Sequence, residues 1–374
     1  MKKTIRRIMA GLLVFGGSAT QAMSQEFNST LGCQPQYWAT SEYLMGWIKD
    51  GPNSVPLITR GSLSDDLPSA LGQPGTQIMA GGDQVDYGLL QGGRITFGKW
   101  VDPCQRYGVE ASGFLMGKTG PSSSFSSTST DSTSLSVPIR LPNGNETSIF
   151  ALVNNPGVNL PDETLSVRHS SQIWGAQGNL VFNTLESSAW NVDGLLGFKY
   201  LNLNESLELN ANISRKVEDG QSIVQGNDHF GTGSEFYGTA LGVRGTRSGR
   251  RLELTTAGSI ALGMNANEVA IQGSRLQTNP GVPASLASGF VFSEPTNIGT
   301  SKHRVFSVAP ECKIGTSYWL TSRLAAEAGY SGLYWNNVVR PGDQIDRVVN
   351  TTQRGGGTLV GEARPTPLFN RTDL

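Results

Sequence analysis

The residues able to do chemistry in this 374-residue chain are few and scattered. It has three histidines, His169, His229 and His303, and three cysteines, Cys33, Cys104 and Cys312. Neither set shows the paired ligand spacing of a zinc site, so no metal is expected. Hydrolysis needs a nucleophile and a base on one face. His169 and Ser171 meet that condition on a strand, where residues two apart point the same way. Serine is so common here that coincidence explains the match. The expectation is therefore no catalytic residue, no cofactor and no enzymatic activity. Asp343-Gln344-Ile345-Asp346 offers two carboxylates where Ca²⁺ takes six or more oxygens, and Arg340-Pro341-Gly342-Asp343 reads as a turn. Cys33 and Cys104 are candidates for a disulfide in an oxidising compartment, and Cys312 reads as a free, buried apolar residue. The strongest functional candidates are charges at alternating positions: Glu42, Arg94, Glu110, Asp193, Lys199, Arg244, Glu253, Glu311, Lys313, Arg323 and Glu327. On strands that close upon themselves they would line a lumen, either pairing across it as a plug or bordering a small pore.

The elements that must hold these residues are strands. Charged residues make up 16% of the chain, below the roughly 25% of a soluble domain, and the 47 glycines exceed ordinary usage. Such a composition suits strands that are half apolar and half small and polar. Lys and Arg number 29 against 30 Asp and Glu, so there is no basic footprint for nucleic acid. Residues 1–24 read as an export signal: Lys2, Lys3, Arg6 and Arg7, an apolar run from Ile8 to Gly17, and a small-x-small site at Ala22-Met23-Ser24. Removing them leaves 25 cations against 30 acids. The apolar run is short of the ~20 residues of a spanning helix, and no later segment reaches that length. A closed β-barrel is then the one architecture that would take this exported chain across a bilayer.

Period-2 alternation marks nine segments, at 37–48, 91–101, 107–117, 165–183, 190–203, 234–245, 251–264, 302–315 and 321–336. In the seventh, Leu252, Leu254, Ile260, Leu262 and Met264 share one face, and Glu253, Thr255, Ser259 and Gly263 share the other. Short connections (102–106, 184–189, 246–250, 316–320) alternate with long ones (49–90, 118–164, 204–233, 265–301, 337–374). That rhythm is the signature of an up-and-down antiparallel transmembrane barrel with tight periplasmic turns and long outer loops. Trp38, Trp100, Trp190 and Trp319 near the short turns, with Trp47 and Trp335 near the long loops, suggest two interfacial girdles.

Several runs carry a resemblance to a known family. They are Tyr37-Trp38-Ala39 through Glu42-Tyr43-Leu44, Trp47-Ile48-Lys49-Asp50-Gly51-Pro52, Leu71-Gly72-Gln73-Pro74-Gly75-Thr76, Gly92-Gly93-Arg94 and Trp100-Val101-Asp102-Pro103-Cys104. Towards the end come Gly329-Tyr330-Ser331, Leu333-Tyr334-Trp335 and Val339-Arg340-Pro341-Gly342-Asp343-Gln344-Ile345-Asp346-Arg347-Val348-Val349-Asn350. These resemble the planctomycete-type outer-membrane β-barrel proteins, a family of uncharacterised function. The resemblance implies an outer-membrane barrel and supplies no substrate or catalytic residue. Such families close with an amphipathic strand, which this sequence lacks after Leu374. Nine strands are an odd number for a bacterial barrel, so the expectation is a barrel of about ten strands whose closing strand is missing.

The sequence thus divides into an export signal (1–24), a periplasmic segment (25–36) and an all-β barrel domain (37–374). The expected role is a structural or surface-exposed outer-membrane barrel with a largely plugged lumen. Its expected partners are outer-membrane lipid and, during insertion, the barrel-assembly machinery. A small-solute diffusion pore is one alternative, and a soluble secreted β-sandwich adhesin is another.

Overall fold

Segments in which every second residue is apolar pair with one another, and that pairing builds the wall. The computed structural model describes residues 11–19, 37–149, 161–187 and 189–374. Its strands are β1 (Gly11–Ala19), β2 (Tyr37–Gly46), β3 (Gly51–Ser62), β4 (Gln77–Val85), β5 (Leu90–Trp100), β6 (Tyr107–Met116), β7 (Ser122–Ser127) and β8 (Thr133–Arg140). Then come β9 (Glu146–Ile149), β10 (Asp162–Glu186), β11 (Trp190–Val217), β12 (Gly220–Ser248), β13 (Leu252–Thr278), β14 (Ser285–Ser288), β15 (Gly299–Trp319) and β16 (Leu324–Leu333). Ten of them close antiparallel in the cycle β1-β2-β5-β6-β10-β11-β12-β13-β15-β16. All nine segments marked by alternation are in it. The tenth place, between β16 and β2, is taken by β1, whose Ala19 lies opposite Leu324 on one side and Ala39 on the other. The position left open for a closing strand is therefore filled by residues of the expected export signal.

In a sandwich the apolar faces would pack on one another. Here they look outward: Phe97 is 61% exposed, Leu241 53% and Phe306 56%. The soluble-sandwich alternative falls on that observation. On β11 the outward apolar run goes from Trp190 through Leu196 and Phe198 to Tyr200. Ten steps at ~3.4 Å, tilted by about 40°, give about 25 Å of height, that of the apolar band of a membrane barrel.

Above Tyr200 the same strand inverts. Leu201, Leu203, Leu207, Leu209 and Ile213 now point inward and are buried, while Asn204, Ser206, Glu208, Asn210 and Asn212 point outward. The ladder to β12 continues unbroken from Trp190–Arg247 to Val217–Gly220. Segments 204–233 and 265–301, expected as outer loops, are thus largely strand. The polarity of the faces changes there, and the hydrogen bonding does not stop. Segment 49–90 supplies β3 and β4, and 118–164 supplies β7, β8 and β9, with β4-β3-β8-β9 forming a second sheet. Of the expected loops, only 337–374 contains no strand among the described residues.

The second sheet and the loop 290–292 fill the inside of these strand extensions. Leu57, Ile58, Leu135 and Val137 meet Leu165, Leu207, Leu209, Phe230, Val269, Phe290 and Phe292 in one buried core. Each such side chain contributes about 1.5–3 kcal/mol on burial. Phe290 lies so close to the wall that a Cβ at Gly226 would stand 1.9 Å from its ring. Asp228, fully buried, accepts the backbone N–H groups of Val291, Phe292 and Ser293 and so fixes that loop. Burial pushes its carboxyl up, against these hydrogen bonds.

Candidate functional site: the lumen and the segment that stops it

Inward residues of the membrane belt form layers. At the short-turn end the mouth is lined by Trp38, Trp100, Asn191, Glu253, Trp319 and Ala325. Trp38 and Trp100 are in tilted contact, 5.5 Å between ring centroids. The Trp38 ring covers Gly98, where a Cβ would stand 2.0 Å from it. The tryptophan girdle expected at this end is corrected accordingly: Trp38, Trp100 and Trp319 line the lumen. The outward rim is Tyr37, Tyr107, Trp190 and Tyr318, all 45–53% exposed. At the long-loop end Trp335 is fully buried, and the outward aromatics are Tyr43, Trp47, Trp174, Tyr200 and Tyr237. Alternation already carried this signal, since Trp38 has the parity of Glu42.

Above the mouth lies an ionic layer. Arg244 bonds Glu110 at 2.7 Å and Asp193 at 3.1 Å, and Asn179 and Trp38 also donate to Glu110. Arg94 lies 3.7 Å from Glu42 and 3.4 Å from Glu311, and Lys199 also pairs with Glu311. Lys313 bridges Glu42 at 2.6 Å and Glu327 at 3.5 Å. Ten of the eleven charges expected in the lumen line this one cavity of about 510 Å³. The exception is Arg323, which sits exposed in the short turn before β16. Pairing is the physical requirement here, because a lone charge inside the membrane thickness is costly.

The cavity ends at an apolar ceiling. Leu44, Leu90, Met116, Leu201, Leu203, Phe236, Ala261 and Ala309 close in from the wall, and Trp335, Val338 and Leu374 press on them from above. Those last three belong to the C-terminal segment, which threads the bore. Trp335 donates its indole N–H to Asn265 (2.9 Å), Asn267 donates to the Asn337 carbonyl (2.8 Å), and Val339 N–H donates to Ser234 (3.0 Å). Arg340 is wholly buried and grips Glu205 with two bonds of 2.8 Å. It also donates to the carbonyls of Lys49 and Asp50, and its guanidinium faces the Tyr87 ring. Burial and the Glu205 charge push the Tyr87 hydroxyl up.

The Arg340–Glu205 pair escaped the sequence reading, which saw only the turn. That turn is present, closed by Asp343 N–H to the Arg340 carbonyl at 3.2 Å. The arginine that opens it is the anchor of the segment. Asp346 accepts from Val348, Arg364 and Thr366, so its oxygens are committed to protein donors. His169 and Ser171 share an inward face as expected; both are buried, and burial lowers the His169 pKa to about 4. Cys104 lies in the first short turn, and its expected partner Cys33 is outside the described residues. Cys312 is exposed on the outer face between Pro310 and Ile314, not buried as expected.

A family model described as "Putative beta barrel porin-7 (BBP7)" matches residues 38–374. Among solved structures, the outer membrane protease OmpT from Escherichia coli aligns over 87% of this chain and 92% of its own, at 10% identity and a TM-score of 0.27. The expectation that the chain is not an enzyme is corrected here, because a neighbour of this coverage is a protease; the TM-score transfers no activity to this chain. No curated protein matches the sequence.

Proposed function

The chain belongs to the beta barrel porin-7 family, and on that premise we propose that it is an outer-membrane barrel of structural or surface-presenting role, closed to free diffusion. The observation that carries this reading is the C-terminal segment in the bore, where Trp335 rests on the apolar ceiling and Arg340 is locked to Glu205. Beneath it, paired charges occupy the lumen of a ten-stranded barrel. Such a bore is narrow to begin with, since an eight-stranded barrel is already filled by side chains. Apolar ceiling, buried ion pair and ionic layer act in series against an ion.

The test is the purified full chain in a planar bilayer. The expected record shows no steady conductance at moderate voltage. Stable single-channel steps from the unaltered protein would sink the closed-barrel reading. The diffusion-pore alternative draws support from one feature, the 510 Å³ cavity reaching from the short-turn end to the ceiling. It requires the C-terminal segment to leave the bore.

Export through residues 1–24 is part of the same proposal, with lipid and the assembly machinery as partners. It makes a demand on the fold. Removal of those residues takes β1 out of the cycle, and the edges of β16 and β2 then need another strand, since unpaired backbone groups are not tolerated in lipid. Intact-mass measurement of the membrane-inserted protein decides the point. A chain beginning at Gln25 supports export, whereas one retaining Gly11–Ala19 removes the cleavage reading and leaves β1 as the tenth strand.

A further inference from the structure

The charges facing the lumen do not balance. Among the described residues, six carboxylates line the cavity against four cations. Two of the six, Glu253 and Glu327, stand at the mouth, and Glu327 is paired with Lys313. Glu253 of β13 and Glu327 of β16 both stand opposite Ser317 of β15, one on each side, so two inward carboxylates flank one small side chain. Cross-strand neighbours have their Cβ atoms about 5 Å apart. Lys313 reaches Glu327 at 3.5 Å from above. Glu253 has no described cation beside it and is held by the Ser248 hydroxyl at 3.4 Å and by the Trp319 side chain.

Three further features surround this pair. The aromatic rings of Trp38, Trp100 and Trp319 line the same mouth, and ring faces attract cations. The side-chain oxygen of Asn191, also at the mouth, is buried and accepts no hydrogen bond. The cavity behind it has the volume of a small-ligand pocket and ends blind at the apolar ceiling. Glu253, with no described cation beside it, and the Asn191 amide oxygen, with no donor, both present acceptors.

We propose that the mouth of the lumen is a binding cup for a small organic dication of the alkyldiamine class, one ammonium seated between Glu253 and Glu327 beside Trp319 and the other on Asn191. A dication restores the charge balance of the cavity, and an alkyl chain between the two ammonium groups suits the indole-lined wall. The cup is defined by its wall and ceiling and holds whether or not the bore conducts.

The experiment is a tryptophan-fluorescence titration of the full chain in detergent with 1,4-diaminobutane at fixed ionic strength, beside neutral 1,4-butanediol and anionic succinate. The expected result is a saturable change with the diamine and none with the other two. Glu253→Gln is expected to weaken the response about tenfold or more, a loss of about 1.4 kcal/mol. Ser317→Lys, which sets an amine between the two carboxylates, is expected to abolish it while the protein keeps its folded gel mobility. An equal response to butanediol overturns the proposal, as does unchanged binding by Glu253→Gln. Should Glu253→Gln not fold, a folded Ser317→Lys that still binds diamine overturns it. The readout is fluorescence, so this outcome is separate from the conductance result.

Discussion

The lower and upper halves of β11 are one ladder obeying two opposite rules. From Trp190 to Tyr200 the side chains of Trp190, Val192, Leu196, Phe198 and Tyr200 look out and Asp193, Leu195 and Lys199 look in; from Leu201 to Ile213 the leucines look in and the asparagines look out. Nothing in the backbone marks the change, because the pairing with β12 runs through it without a shift. The solvent on the outside is what differs. Against hydrocarbon an outward leucine costs nothing, and an inward polar residue needs only a partner. Against water the hydrophobic effect reverses the preference, and the inward leucines gather a core from the second sheet and the loop 290–292. The two halves also differ in what fills them: ion pairs below, apolar packing above, with the Arg340–Glu205 pair at the junction.

The largest expected effect comes from breaking that junction. Arg340→Ala leaves Glu205 buried without a partner, a loss of about 3–5 kcal/mol. It should lower the temperature at which the folded gel form is lost and release the C-terminal segment to protease. If Arg340→Ala melts like the parent, the segment is held elsewhere. Next in size is a test of the two rules on one strand. Ile260→Arg puts a charge on the outer face near the middle of the belt and should cost about 2–4 kcal/mol, read as reduced folding into vesicles. Gln272→Arg, an outward position of the same β13 above the belt, should change little, within ~0.5 kcal/mol for a solvated surface site. Equal effects would mean that the belt is misplaced.

A smaller and graded effect is expected of pH on the upper half. Glu163 of β10 is buried against Leu135 of β8, and burial raises its pKa to about 8. The folded state thus favours the protonated carboxyl. Its stability contribution is fully present below pH ~4.5, the usual glutamate value, and is lost as pH rises to about 8. Protection of the β8 amides, taken against the intrinsic exchange rate at each pH, should fall across that interval in the parent, and Glu163→Gln should flatten the dependence. An identical pH profile in Glu163→Gln would remove Glu163 as its source.

How much of this was legible depends on what kind of information each feature needs. The nine wall strands could be read because membrane alternation is local: Leu252, Leu254 and Ile260 announce their face within ten residues. The same rule located ten of the lumen charges, since parity alone fixes inward or outward. The strand extensions were missed for an instructive reason. Leu203-Asn204-Glu205-Ser206-Leu207-Glu208-Leu209 alternates as well as any belt segment, but with the faces exchanged, and a search for a lipid-facing stripe ends where the stripe crosses over. The Thr- and Ser-rich stretch around β7 and β8 carries too little apolar surface to mark a core in the sequence. Leu135 and Val137 needed partners from β10 and β11 before it could fold.

The sequence by itself determined that this is a membrane barrel, which residues form its wall, and which face of each belt strand carries charge, because a period-2 pattern is imposed by strand geometry and solvent alone. Only the tertiary structure decided which segment threads the bore, which of the described carboxylates find cations, and that Arg340 meets Glu205 there. Those are meetings between residues brought together from different strands, 135 positions apart for Arg340 and Glu205 and 112 for Lys199 and Glu311, and their outcome rests on closure of the ring and on the chain that threads it, neither of which any local pattern encodes.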